Sequence, residues 1–261
     1  MYTELQQARL TWSHPIPDNL LAGLTILVTG AGSGIGATAA RCFASFGADV
    51  VLLGRTKDKL DGIFDLIKAE TSTDPVIVPY DMTSYSDGAL VQLREMILKH
   101  YGRLDGLLHN AGMLGDKTPL EHYNMETWNQ VMQINVSACQ ALTSVMLPAL
   151  RKSQASSVVF TSSSVGRKGR AYWGAYAVSK FAVEGIAQVL ADETEDAGII
   201  RVNTLNPGAT RTPMRAAAYP NENPDSLKCA EEKMDLYLYL MGPLSRGVTG
   251  QQFSCESWNP A

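Results

Sequence analysis

Short β-rich apolar runs alternate along the chain with longer stretches whose apolar positions recur every three to four residues. Residues 24–29 read as a first strand, followed by glycines and a helix over 35–46. A buried strand is predicted at 50–53, and Leu60, Ile63, Phe64 and Ile67 after it form an apolar stripe at helical spacing. The strand signal returns at 76–79, 104–108, 158–160 and 199–205, with helices predicted around 90–100, 125–150 and 176–197. Strands alternating with helices imply right-handed βαβ units and hence a parallel sheet covered on both faces. The expectation is a doubly wound α/β sheet of about seven strands. No Gly/Ser linker or internal repeat divides the chain, so residues 1–261 are expected to form one domain. The exception is 211–233, rich in Pro and Ala and without a clean period. It reads as an insertion over the carboxyl edge of the sheet, either a substrate lid or an ordinary surface loop.

Composition narrows the function classes. The 261 residues are 45% hydrophobic and 18% charged, the balance of a soluble protein with an ample core. A net charge of -4 argues against a general nucleic-acid binder. Cys42, Cys139, Cys229 and Cys255 are scattered, with no C-x-x-C and no histidine at ligand spacing. They read as reduced thiols of a cytoplasmic protein, with no metal centre expected. The first twenty residues lack a basic stretch followed by an apolar run, and no segment approaches the roughly 18 apolar residues of a membrane span, so neither a secretory signal nor membrane insertion is expected.

Candidate chemistry centres on Tyr176 and Lys180, four residues apart and therefore on one helix face. An ammonium beside a phenol favours the phenolate, which suits acid/base work on a carbonyl or alcohol. Upstream lies the hydroxyl cluster Ser162, Ser163 and Ser164. Near the N-terminus, Gly30, Gly32, Gly34 and Gly36, with Ser33 and Ile35 between them, follow the first strand and open the first helix. Glycines there let the backbone approach a pyrophosphate that the helix N-terminus favours. About 20 residues further on, where an NAD site places a carboxylate, the chain has Gly54, Arg55 and Thr56. A guanidinium there can grip a 2′-phosphate, which points to NADP(H) over NAD(H).

Together these motifs, with Asn110-Ala111-Gly112, Asn135 and Asn206-Pro207-Gly208, resemble the short-chain dehydrogenase/reductase family in order and spacing, over residues 24–251. The stretches 108–112 and 159–167 look like the YciK group of bacterial oxidoreductases within it. The resemblance implies a Rossmann-type fold and a carbonyl/alcohol oxidoreductase. It implies Tyr176 as the general acid in reduction and Lys180 as the group that lowers the Tyr176 pKa and bonds the nicotinamide ribose. Ser163 would orient the substrate carbonyl, and Asn135 would hold a relay water. Gly30, Ser33, Gly34, Ile35, Gly36, Arg55 and Thr56 would bind the cofactor with Asp81, Met82, Asn110, Ala111 and Gly112. Pro207, Gly208 and Thr210 would hold its carboxamide end, and a symmetric homodimer or homotetramer is expected. Two departures stand out. Ser33 takes a place where NADP-dependent members often carry a basic residue, and Cys255-Glu256-Ser257 replaces a common Asp-Gly-Gly, which leaves the packing of the C-terminus open.

Residues expected to face a small-molecule substrate are Leu114, Tyr172, Trp173 and parts of 214–219, although Tyr172 and Trp173 equally suit packing roles. Arg167, Lys168 and Arg170 form a basic cluster that would receive an acidic carrier in a 3-oxoacyl thioester reductase, or simply face water. His109 reads as a core or strand-end histidine. A non-catalytic NADP(H)-binding regulatory protein is the reading from another class, and the Ser163, Tyr176, Lys180 and Asn135 set argues against it.

Overall fold

Seven parallel strands pair in the order β3-β2-β1-β4-β5-β6-β7. They are β1 Thr25–Thr29, β2 Asp49–Gly54, β3 Val76–Pro79, β4 Gly106–His109, β5 Ser156–Thr161, β6 Ile200–Asn206 and β7 Gln252–Ser254. The computed structural model describes residues 4–13, 15–84 and 86–259. The first three residues of the N-terminal segment read above lie outside that range. The sheet reverses its winding between β1 and β4, and the carboxyl ends of those two strands open the crevice in which ligands bind in such sheets.

Strands β1, β4, β5 and β6 are buried along their whole length, with β1 apolar at its centre and β6 burying the polar Arg201, Asn203, Thr204 and Asn206. Ile26 and Val28 of β1 face one helical layer, and Leu27 faces the other. The first layer holds α2 Gly34–Ser45, α3 Lys57–Glu70 and α9 Met234–Met241. The second holds α4 Asp87–Tyr101, α6 Ala138–Leu150 and α7 Gly174–Glu195. Short helices complete the chain: α1 Glu4–Arg9, α5 Met125–Met132 and α8 Pro213–Ala218. Pro79 is tolerated because β3 is an edge strand and one missing donor breaks no ladder.

The doubly wound parallel sheet matches the expectation, with strand ends moved by one or two residues. Three differences have physical causes. The helix expected over 125–150 is interrupted by a π-turn at Gln133–Ser137, centred on the buried Asn135. Helix α9 was not foreseen because Met234, Leu236, Tyr237, Leu238, Leu240 and Met241 are all buried, so the segment has no polar face and no period. Segment 211–233 is folded: Thr212 caps α8 through the Arg215 amide at 3.1 Å with Pro213 in the first turn, and Arg215 grips Glu222 through two 2.6 Å bonds. Among the described residues no helix is long and apolar enough to cross a membrane.

Candidate active site

The crevice begins with Thr29. Its hydroxyl accepts from the backbone N–H groups of Asn110 and Ala111 at 3.0 Å each, so the carboxyl ends of β1 and β4 are fastened together. Gly30 turns out of β1 at φ +69°. Gly36, inside α2, faces the Gly30 carbonyl and the Asn110 amide so closely that a Cβ would overlap both. These glycines bring turn, helix N-terminus and β4 loop into one cradle. Ser33 and Thr56 begin α2 and α3 with extended backbones, and neither hydroxyl makes a capping bond to its helix.

Two adjoining cavities share Gly30, Ser33, Ala111 and Gly112. The first also gathers Gly34, Ile35, Asn110, Ser163, Tyr176, Lys180, Pro207, Gly208 and Thr210. The second gathers Arg55, Thr56, Asp81 and Met82. Gly36 and Asn135 line neither cavity: the first packs against the turn, and the second is buried behind Gly112. Lys59 also lines the second cavity, its Cβ beside Gly32, and the sequence reading passed over it. The available signal was its place in the first turn of α3, four residues after Arg55. Asp81 has two roles: it faces the cavity and accepts from the Thr83 amide at 2.9 Å, a bond that, with a smaller contribution from Arg55, holds its carboxyl below the usual range.

At the inner end, Ser163 faces Tyr176 and lowers its phenol. Of the three serines only Ser163 does this, because the Ser162 hydroxyl is committed to Glu184 at 2.5 Å and Ser164 is exposed. Burial nevertheless pushes the Tyr176 phenol up to about 12, against the lowering effect of Ser163. The Lys180 ammonium donates to the Thr161 carbonyl at 2.7 Å and lies 5.6 Å from the Tyr176 ring centre. Burial lowers Lys180 itself to about 8. Asn135 ties the π-turn to the crevice: its Oδ1 accepts from the Met113 amide at 2.7 Å, and its Nδ2 donates to the Met113 carbonyl at 3.0 Å and to Ser179 Oγ at 2.9 Å.

Leu114, Trp173, Met214, Arg215 and Ala218 form the remaining wall of the first cavity. Tyr172 points elsewhere; it is 58% exposed, with φ +71°. Trp173 stands 5.8 Å from Tyr176 and 5.9 Å from Tyr219, centre to centre. Lys117 closes this corner, donating to the Ala218 carbonyl at 2.7 Å and lying 4.2 Å from the Tyr219 ring centre and 4.8 Å from that of Trp173. The basic cluster is not one surface: Arg167 pairs with the buried Glu184 at 2.9 Å and donates to the Phe253 carbonyl at 2.9 Å, while Lys168 and Arg170 are exposed. His109 is a core residue, as read. Its Nε2 meets Thr143 Oγ1 at 2.8 Å, it stacks on Phe160, and burial lowers it to about 3. At the C-terminus, Glu256 packs against Gly208 and accepts from the Ala209 amide at 3.3 Å, so the departure from Asp-Gly-Gly places a carboxylate on the 207–210 loop.

Residues 24–223 match the short chain dehydrogenase family. The chain is 51% identical over 239 residues to the uncharacterized oxidoreductase YciK of Escherichia coli (strain K12), covering 92% of this chain and 94% of that protein. It is 31% identical over 239 residues to the 3-oxoacyl-[acyl-carrier-protein] reductase FabG of Thermotoga maritima, covering 88% and 95%. A short chain dehydrogenase of Shigella flexneri 2a str. 301, solved in complex with NADP, superposes with a TM-score of 0.90 at 51% identity, over 92% of this chain and all of that one. The chain belongs to the short-chain dehydrogenase family.

Proposed function

We propose that the protein is an NADP(H)-dependent oxidoreductase that reduces a carbonyl to an alcohol, or runs the reverse reaction. The observation that carries this reading is the meeting of Ser163 and Tyr176 at the inner end of a cavity continuous with the glycine cradle, with Lys180 buried one helical turn behind. The cradle fits a dinucleotide: Gly36 leaves no room for a Cβ, and the Ser33 and Thr56 hydroxyls stand at helix N-termini without a capping role. When bound, the nicotinamide supplies the hydride.

The protein's own groups move the proton. Tyr176 stays protonated at neutral pH, so it can donate to the carbonyl oxygen as charge builds there. Ser163 polarises the same oxygen. Lys180 stabilises the phenolate left behind, and Asn135 keeps Gly112, Met113 and helix α7 in register around it. The relay water at Asn135 belongs to the same proposal.

Preference for NADP(H) rests on Arg55 and Thr56, with Lys59 beside them and Asp81 the acid on that wall. The NADP bound in the Shigella relative supports it. The apolar wall of Leu114, Trp173 and Met214 suits a partly hydrophobic carbonyl compound, and we read 211–233 as the flap over it. A 3-oxoacyl thioester is the second reading, supported by the Thermotoga relative and by the exposed Lys168 and Arg170. Exposed Val178, Phe181 and Val189 on α7 support a homodimer or homotetramer, and we place the protein in the cytoplasm.

The test is a fluorescence titration with NADPH and NADH, run beside absorbance assays on ketones, aldehydes, quinones and 3-oxoacyl thioesters, with Tyr176→Phe as control. Tight NADPH binding with Tyr176-dependent turnover of one class supports the reading. Binding without turnover favours a regulatory role, and absence of binding removes the cofactor argument.

A further inference from the structure

We infer that Glu184 is a positioning residue of the proton-transfer site, a buried carboxylate that locks the Ser162–Ser163 turn to helix α7 and sets a fixed negative charge one turn behind Lys180. The inference rests on the reductase reading, but its geometry is independent of substrate.

Glu184 is 4% exposed and takes four side-chain donors. Oε1 accepts from Ser162 Oγ at 2.5 Å and Arg167 Nε at 2.9 Å; Oε2 accepts from Thr204 Oγ1 at 2.7 Å and Gln252 Nε2 at 2.9 Å. The donors come from two places in the turn that follows β5, and from β6 and β7. One carboxylate therefore joins the catalytic helix to that turn and to two neighbouring strands. A buried charge is not the economical way to hold helix to sheet, since apolar residues of similar volume serve stability as well or better. Its retention calls for a task that needs charge or a fixed geometry.

Both tasks are visible. Ser162 precedes Ser163, so fixing its hydroxyl fixes the turn from which Ser163 reaches Tyr176. Tyr176, Lys180 and Glu184 are spaced by four along α7 and share one face. The groups acting on Lys180 are Cys139 from α6, whose thiol burial pushes up to about 12, His109 from β4, which burial keeps neutral, Tyr176 and Glu184 from α7, and the Thr161 carbonyl from β5. Glu184 is the carboxylate among them, and it opposes the pull of burial on the ammonium.

The deciding experiment is a lysine-selective NMR titration of Lys180, assigned with Lys180→Arg, in the wild-type protein and in Glu184→Gln. The wild-type titration is expected near pH 8. Glu184→Gln should move it down, because the substitution removes the carboxylate that holds it up against burial. An unmoved midpoint overturns the inference, and this readout needs no turnover. Ser162→Ala keeps the charge, so it should leave the midpoint in place while cutting kcat by up to about a hundredfold, the cost that a displaced reacting group can carry. Unchanged kcat in a folded Ser162→Ala protein also overturns the inference, and that variant carries the test if Glu184→Gln does not fold. Failure of the wild-type protein to turn over any carbonyl in a Tyr176-dependent way would instead defeat the reductase reading, and the Lys180 midpoint would still decide the role of Glu184.

Discussion

Lys180 gives its short hydrogen bond to the Thr161 carbonyl, not to Tyr176, and burial draws its pKa down to about 8 while that of Tyr176 rises to about 12. The two groups therefore titrate on opposite sides of the mildly alkaline range. Above about pH 8 the lysine loses its proton and the charge that would stabilise a phenolate, whereas the phenol still carries a proton to give. Reduction is expected to be level near neutrality and to fall as pH rises through 8. A kcat profile still level at about pH 10, near the ordinary lysine value, would contradict this.

Replacing the phenol should separate binding from chemistry. Tyr176→Phe is expected to bind NADPH as the parent does and to lose kcat by about a hundredfold to ten-thousandfold, the usual worth of a positioned acid. Ser163→Ala should lose less and Ser164→Ala almost nothing, because only Ser163 reaches Tyr176. Steady-state kinetics on the three variants distinguish these outcomes.

The far end of the crevice sets cofactor choice. Arg55→Asp should raise the KM for NADPH and leave that for NADH nearly unchanged, since a carboxylate repels a 2′-phosphate that a guanidinium would grip. Lys59→Glu should act in the same direction and more weakly, because Lys59 lies on the same wall but four residues beyond Arg55, in the first turn of α3. An unchanged ratio of NADPH to NADH efficiency in Arg55→Asp would remove the assignment.

Gly36→Ala drives a Cβ into the Gly30 backbone carbonyl, which cannot swing away, and into the side-chain amide of Asn110. Overpacking of this kind costs about 1–3 kcal/mol. The expected result is a lower denaturation midpoint together with weaker NADPH binding, read by urea unfolding and fluorescence titration.

Lys117→Met keeps the apolar stem but removes the bond to the Ala218 carbonyl and the cation beside Trp173 and Tyr219. The loss is about 1–2 kcal/mol, confined to the corner where the 211–233 segment meets the cavity wall. Hydrogen exchange should quicken for amides 214–219, with little change in the thermal midpoint of the whole protein.

The parts of the site that sequence disclosed are those where chemistry restricts residue type. The glycine turn and the Asn110 and Pro207 loops fall at carboxyl ends of strands, the Tyr176–Lys180 spacing falls on helix α7, and the strands themselves, β7 excepted, were visible as short β-rich runs. What escaped has no local signature. Helix α9 is apolar on every side, so periodicity is silent about it. The π-turn at Asn135 widens a helix by one residue and leaves composition untouched. The role of Arg167 depends on a partner 17 residues away, and its appearance as part of a basic run was misleading. Glu184 was within reach, because it continues the four-residue spacing of Tyr176 and Lys180, but its meaning depends on donors that only the folded sheet brings together.

The chain leaves β6, crosses the cavity mouth through α8 and then descends into α9, whose Leu236, Tyr237 and Leu238 have no exposed surface. The crossing is thus a bridge with both abutments set in the interior, unlike a free-ended arm. A protease nick within it would sever the covalent chain without detaching the far bank. The two fragments should separate under denaturing conditions, yet migrate together in native gels, with β7 still paired to β6.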